Sequence, residues 1–262
     1  MCVVAAIFED RLRFARFIIA RGIPRYGSAG GTPKEFRILA AQVFPSRNER
    51  ANSGMHVALL GDSILDNHAY TKGAPDVAGH LRQLLPGSAQ ATLCAVDGST
   101  TSDLNLQIAR VPSDASHIVI SIGGNDALLN SDLLSTPVAS TTEALSLFAK
   151  RIAQFEAAYR AAIEAVLRLR LKTAICTIYN GNLDPPEAYV ARMALMMFND
   201  VILRFGFERT LTIIDLRFVC SEKADYANLI EPSGKSGLKI ATAIVRWLNS
   251  SEPHGSAHVF TG

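Results

Sequence analysis

The chain of 262 residues is 48% hydrophobic and 19% charged, with 18 Gly and 11 Pro; it is long enough to bury a substantial core and has no bias toward disorder, collagen or a coiled coil. Its four cysteines, at 2, 94, 176 and 220, are too few and scattered for a disulfide scaffold, and no CxxC pair or Cys/His spacing suggests structural zinc. The net charge of +2 divides unevenly: residues 1–54 carry nine Lys/Arg against four Asp/Glu, while the remainder, with 17 basic and 20 acidic residues, argues against a phosphate-backbone binder.

Residues 3–8 are apolar, Glu9 and Asp10 interrupt, and RLRFARFIIARG resumes with helix-like spacing. A secretory signal places its positive charges before a longer apolar stretch, so this order does not fit one, and no run approaches the roughly 18–20 residues that span a bilayer. The segment reads either as a membrane-surface or partner-binding helix, confining membrane contact to residues 3–21, or as an extension upstream of the biological start. Met55 directly precedes the first strong strand, which favours the second reading. The expected organisation is a basic extension over 1–54, poorly ordered or partly helical, a folded body over 55–250 and a tail over 251–262. Without an export signal the expected location is the cytoplasm.

HVALLG (56–61) is an apolar strand, followed by a polar turn and a helix over about 75–85. ATLCAV (91–96) is a second strand, and 101–110 suits a helix. HIVISI within 116–122 is a third strand ending in Gly-Gly. Ser140 and Glu143 form a capping box at the mouth of a helix through about Arg168. LKTAICTIY (171–179) is a fourth strand, and a helix opens near Glu187 and runs to about Arg204. LTIIDL (211–216) is a fifth strand, and Lys235–Leu248 closes the body. Near-continuous apolar strands separated by helices predict a doubly wound, five-stranded parallel sheet in three α/β/α layers, flavodoxin-like.

In such a sheet the strand C-termini form the functional edge, and polar clusters recur there. Gly61-Asp62-Ser63 follows the first strand, where a serine after a Gly turn projects its hydroxyl above the sheet; it is neither a GxSxG elbow nor a phosphate loop. Asp97-Gly98-Ser99 follows the second strand and alone is only a turn signal. Gly123-Gly124-Asn125-Asp126 follows the third: Asn125 offers a neutral donor suited to an oxyanion, and Asp126 reads as a brace for its loop.

Together, GDS at 61–63, Gly98 in VDGSTTSD and GGND at 123–126 resemble the SGNH/GDSL esterase–lipase family, in that family's order, over about residues 56–249. The resemblance implies Ser63 as nucleophile, an oxyanion hole from the Ser63 and Gly98 N–H groups and the Asn125 side chain, and neither metal nor organic cofactor. One cluster departs from the pattern. The family's Asp-x-x-His before the last helix reads here as Asn228-Leu-Ile-Glu231, followed by Pro232, so both acid–base members are changed.

Glu231 is the leading candidate for the base: a carboxylate within hydrogen-bond reach accepts the serine proton, although its reference pKa near 4.3 makes it weaker than imidazole unless burial raises it. The bland alternative is a helix cap. His68 is the nearest histidine in sequence to Ser63 and the second candidate. Asp225 either orients the loop or joins a relay. The apolar loop after GGND, residues 127–138, either packs on the long helix or lines an acyl pocket. Two functions stay open: a serine esterase forming an acyl-enzyme on Ser63 from a small or short-acyl ester, with no lid-sized insertion for interfacial lipase action, and a non-catalytic protein keeping the pocket for an acylated or sugar-like ligand. The oligomeric state is not legible.

Overall fold

Alternation within each apolar run decides which face of the sheet a side chain enters. Val57 and Leu59 pack into one buried cluster, Ala58 and Leu60 into the other; Val119 opposes Ile118 and Ile120, Ala174 and Cys176 oppose Ile175, and Ile214 opposes Ile213. A sheet buried on both faces is what continuous apolar strands require. A computed structural model describes residues 54–250 and 257–261. The basic extension over 1–54 lies, Gly54 apart, outside the described residues.

The strands are β1 (His56–Gly61), β2 (Gln90–Leu93), β3 (His117–Ser121), β4 (Lys172–Cys176), β5 (Thr212–Ile214) and β6 (Val259–Phe260). They pair in parallel in the order β2-β1-β3-β4-β5-β6. The first five give the expected doubly wound order. The sixth corrects the five-strand expectation and falls within the segment read as a tail. Two residues carry no legible alternation; β6 is defined by its partner, with Ile213 N–H donating to the His258 carbonyl (2.7 Å) and Asp215 N–H to that of Phe260 (2.8 Å).

Helices α1 (Val77–Leu84) and α7 (Gly234–Leu248) cover one face, whereas α2 (Leu104–Ile108), α4 (Thr141–Leu167) and α5 (Glu187–Glu208) cover the other. The short α3 (Gly124–Leu129) and α6 (Leu216–Val219) follow β3 and β5. α4 starts where its capping signal lies: the Ser140 hydroxyl accepts from Glu143 N–H (3.1 Å), and the Glu143 carboxylate accepts from Ala139 N–H (2.7 Å). Such a cap contributes about 1 kcal/mol. α4 and α5 run side by side, with Phe155 against Phe198 (ring centroids 4.9 Å apart) and Arg204 and Arg160 bonded to Glu156 and Glu208. At 27 residues α4 is about 40 Å long, more than twice a five-residue strand.

Candidate active site

Gly61 ends β1 with φ +139°, and a Cβ there would lie 1.8 Å from the Ser121 carbonyl oxygen. Only glycine fits, and this close approach of β1 to β3 sets the turn that follows. Asp62 N–H donates to the Ser121 carbonyl (3.1 Å), and the Asp62 carbonyl accepts from Leu65 (3.1 Å) and Asp66 (3.0 Å) N–H. Ser63, 5% exposed, stands in this turn at the C-terminal edge of the sheet.

The second and third clusters come to the same place. Gly98 has φ +83°, and its loop hangs from β1, with Val96 N–H donating to the Gly61 carbonyl (3.1 Å). Asn125, 7% exposed, begins the first turn of α3 after Gly123, whose φ of +117° lets β3 break sharply. Asn125 Nδ2 donates to the Ser99 carbonyl (2.8 Å), which orients its amide over the Gly98 loop. The Asp126 carboxylate accepts from Thr101 N–H (3.1 Å) and Thr101 Oγ1 (2.7 Å), the loop brace expected of it. Burial pushes the Asp126 carboxyl up, and the Thr101 hydrogen bonds partly offset that rise.

Glu231 is 3% exposed, on the loop between β5 and the last helix. A short antiparallel bridge between Tyr226 and Pro232 closes this loop, with Ala227 N–H donating to the Glu231 carbonyl (2.8 Å). Asn67, fully buried, spans from the serine turn to this loop: its Nδ2 reaches the carbonyls of Pro232 (3.4 Å) and Ser233 (3.3 Å), and its Oδ1 accepts from Val77 N–H (2.9 Å). Tyr179, beyond β4, donates its hydroxyl to the Ile230 carbonyl (2.5 Å). Burial first, then the charge of Glu231, and further down that of Asp62, push the Tyr179 phenol well above its ordinary value.

The remaining candidates divide. Asn228 uses its side-chain carbonyl locally, accepting from Ile230 (2.9 Å) and Glu231 (2.8 Å) N–H; it shapes the turn that carries Glu231. Asp225 is fully buried and accepts from Lys239 Nζ (2.8 Å) and Glu222 N–H (2.9 Å). His68 is exposed, away from the buried core of the site. Among the other histidines, His56 and His117 lie at the opposite strand ends, in β1 and β3. His80 contacts the Gly234 carbonyl (3.2 Å) from α1, and His254 lies outside the described residues.

Sequence reasoning missed Asn67 and Gln107. Gln107 carried a signal: in LNLQI it stands with Leu104 and Ile108 on the apolar face of its helix, where an amide is out of place. Asn67 carried none, because the loop carbonyls that it binds, those of Pro232 and Ser233, lie 165 and 166 residues away. The loop after GGND leaves Leu129, Leu134 and Val138 exposed rather than packed, and α5 exposes Tyr189, Val190, Met193 and Met196 in its first half.

Residues 59–234 match the model of the GDSL-like lipase/acylhydrolase family. No curated protein sequence matches the chain. Among solved structures, it is similar to an extracellular lipase from Streptomyces rimosus at 15% identity and a TM-score of 0.55, covering 76% of this chain and 100% of that one. It is similar to a phospholipase A1 from Streptomyces albidoflavus NA297 at 17% identity and a TM-score of 0.57, covering 76% and 100%. An acetylxylan esterase from Geobacillus stearothermophilus aligns at 19% identity and a TM-score of 0.54, covering 77% and 97%. At these identities the likeness is one of fold.

Proposed function

The chain belongs to the GDSL-like lipase/acylhydrolase family and is a hydrolase of ester bonds; from that premise we propose that it cleaves small or short-acyl carboxylic esters through an acyl-enzyme on Ser63, with Glu231 as the base. The observation that carries this reading is the convergence of four separate segments at one sheet edge. The Ser63 turn, the Gly98 loop and the Asn125 amide are hydrogen-bonded into one unit, and Asn67 ties the Glu231 loop to the same turn.

Ser63 Oγ attacks the ester carbonyl carbon while its proton passes to the Glu231 carboxylate. The carbonyl oxygen becomes an oxyanion held by the N–H groups of Ser63 and Gly98 and by Asn125 Nδ2, neutral donors already fixed before reaction. As the tetrahedral intermediate collapses, the protonated Glu231 gives its proton to the departing alkoxide. Water then attacks the acyl carbonyl, losing a proton to Glu231, and Ser63 leaves with that proton. The acyl group lies along the wall of Leu129, Leu134 and Val138, whose exposure supports a ligand-facing role. The relatives of similar fold carry names that span lipid and acetyl-sugar esters, so the acyl length is set by this chain's own wall.

Hydrolysis of p-nitrophenyl acetate, butyrate and dodecanoate by the wild type and Ser63→Ala, purified side by side, tests the reading. Turnover of the short esters that disappears in Ser63→Ala is expected. Turnover that survives removal of the hydroxyl rules out the acyl-enzyme, and a preference for dodecanoate rules out the short-acyl assignment.

A further inference from the structure

β2 leaves the sheet early, and this gives Gln107 its place. Pairing between β1 and β2 ends at Leu59 and Leu93, after which Cys94 and Ala95 both direct their N–H groups to the Leu59 carbonyl (2.8 Å each). Gly61 therefore reaches the end of β1 with no strand residue beside its N–H on that side. The Gln107 side chain fills the gap. Its Oε1 accepts from Gly61 N–H (2.7 Å), and its Nε2 donates to the Gly61 carbonyl (2.8 Å). A primary amide thus takes the role of a peptide group in the missing strand. The reverse amide orientation would set an NH2 group against the Gly61 N–H, so the pattern fixes which atom is oxygen.

The second Nε2 hydrogen reaches Ser99 Oγ (3.1 Å), and the Ser99 carbonyl receives Asn125 Nδ2 (2.8 Å). One buried side chain, 2% exposed, is therefore bonded on one side to the glycine that sets the Ser63 turn and on the other to the loop of Gly98 and Asn125. We propose that Gln107 is a positioning residue for ester hydrolysis, holding the serine turn and the oxyanion donors in register. This rests on the reading of Ser63, Gly98 and Asn125 given above. Donors stabilise an oxyanion only at hydrogen-bond distance from the place where its charge develops, so a displacement of about 1 Å between turn and loop costs as much as a lost donor. Because the misplacement acts on the transition state more than on the bound ester, it appears in kcat.

Gln107→Met keeps volume and helix propensity and removes all three hydrogen bonds. With p-nitrophenyl acetate, kcat is expected to fall about 10- to 100-fold while KM stays within about threefold. Burial alone could make this variant fold poorly, so Ser99→Ala, which cuts only the link to the loop, is measured beside it and is expected to lose about 3- to 10-fold in kcat at an unchanged melting temperature. The deciding readout is a double-mutant cycle with Asn125→Ala. If Gln107 acts through the oxyanion donors, either variant costs less than about threefold further in the Asn125→Ala background. Full losses repeated in that background, or kcat unchanged in a folded Gln107→Met, overturn the proposal while leaving Ser63 as nucleophile. Activity that survives Ser63→Ala, or full kcat in Asn125→Ala, overturns the underlying reading instead.

Discussion

The two ends of the sheet hold opposite sets of side chains. At the N-terminal end, His56 pairs with Asp114 through Nδ1 (3.0 Å) and meets Thr92 Oγ1 through Nε2 (2.8 Å), while His117 meets Ser116 Oγ (2.8 Å) and the edge of Trp247. By distance alone, Asp114, His56 and Thr92 reproduce an acid–imidazole–hydroxyl relay. Yet Thr92 is a strand residue within β2, paired with Ala58. At the C-terminal end the chain leaves β1 at Gly61 and β3 through Gly123, and turns at Gly98 beyond β2, all at positive φ, and there the acid–base candidate is a carboxylate. The contrast teaches that the route of the backbone, more than the inventory of side chains, makes a hydroxyl a candidate nucleophile: strand ends at glycine leave N–H groups to point at a ligand, and a strand interior does not.

The sharpest test sets the two ends against each other. Glu231→Gln is expected to lower kcat/KM about 10²- to 10⁴-fold, the range of a lost general base, whereas His56→Gln leaves it within about twofold; steady-state kinetics on one short ester decide both. A large His56 effect would break the comparison.

Gly61→Ala should destabilise the fold by about 3 kcal/mol or more, read as a lowered denaturant midpoint, because the added methyl collides with the Ser121 carbonyl at a positive φ. Asn67→Ala leaves Val77 N–H and two loop carbonyls without their amide partner and should cost about 1–3 kcal/mol; in the same variant the Glu231 loop should exchange its amide hydrogens faster.

The smallest effect belongs to the far end. Burial, then the charge of Lys172, lowers the His117 pKa from 6.5 to about 4. The unfolded chain therefore binds the proton first on acidification, so stability is full above about pH 6.5 and falls as pH drops toward 4. The loss should be of order 1 kcal/mol, since the ring is partly open to solvent, and His117→Phe should flatten that part of a melting-temperature profile.

How far the sequence could be read follows from what each residue depends on. β1 and β3 were legible because apolar runs bounded by glycine turns specify a buried strand directly. The strands over 91–96, 171–179 and 211–216 came out longer than β2, β4 and β5 because Cys94, Ala95, Ile178, Tyr179 and Leu216 are buried beyond the last paired residue; hydrophobicity reports burial, and burial continues where pairing stops. Ser63, Gly98 and Asn125 were legible because each sits in a short motif at a strand end. Asn67 was not, because the loop carbonyls that it binds meet it only after folding; Gln107 shows only as an amide on an apolar helix face, its partners equally hidden, and Asn228 spends its oxygen on its own turn.

The buried carboxylate at position 231 changes the charge history of a reaction that uses it. An imidazole that takes the serine proton becomes a cation, so attack creates a pair of opposite charges. A carboxylate that takes it becomes neutral, and a single negative charge migrates from Glu231 to the substrate oxygen and back again. The total never varies, and no cation forms to attract an anionic ester. A substrate bearing its own carboxylate about 5 Å from the travelling charge would meet a repulsion of about 3 kcal/mol at an effective dielectric constant near 20, roughly a hundredfold in kcat/KM. Electroneutral esters escape that penalty, so a carboxylate base at position 231 would act as a charge filter on the acyl group.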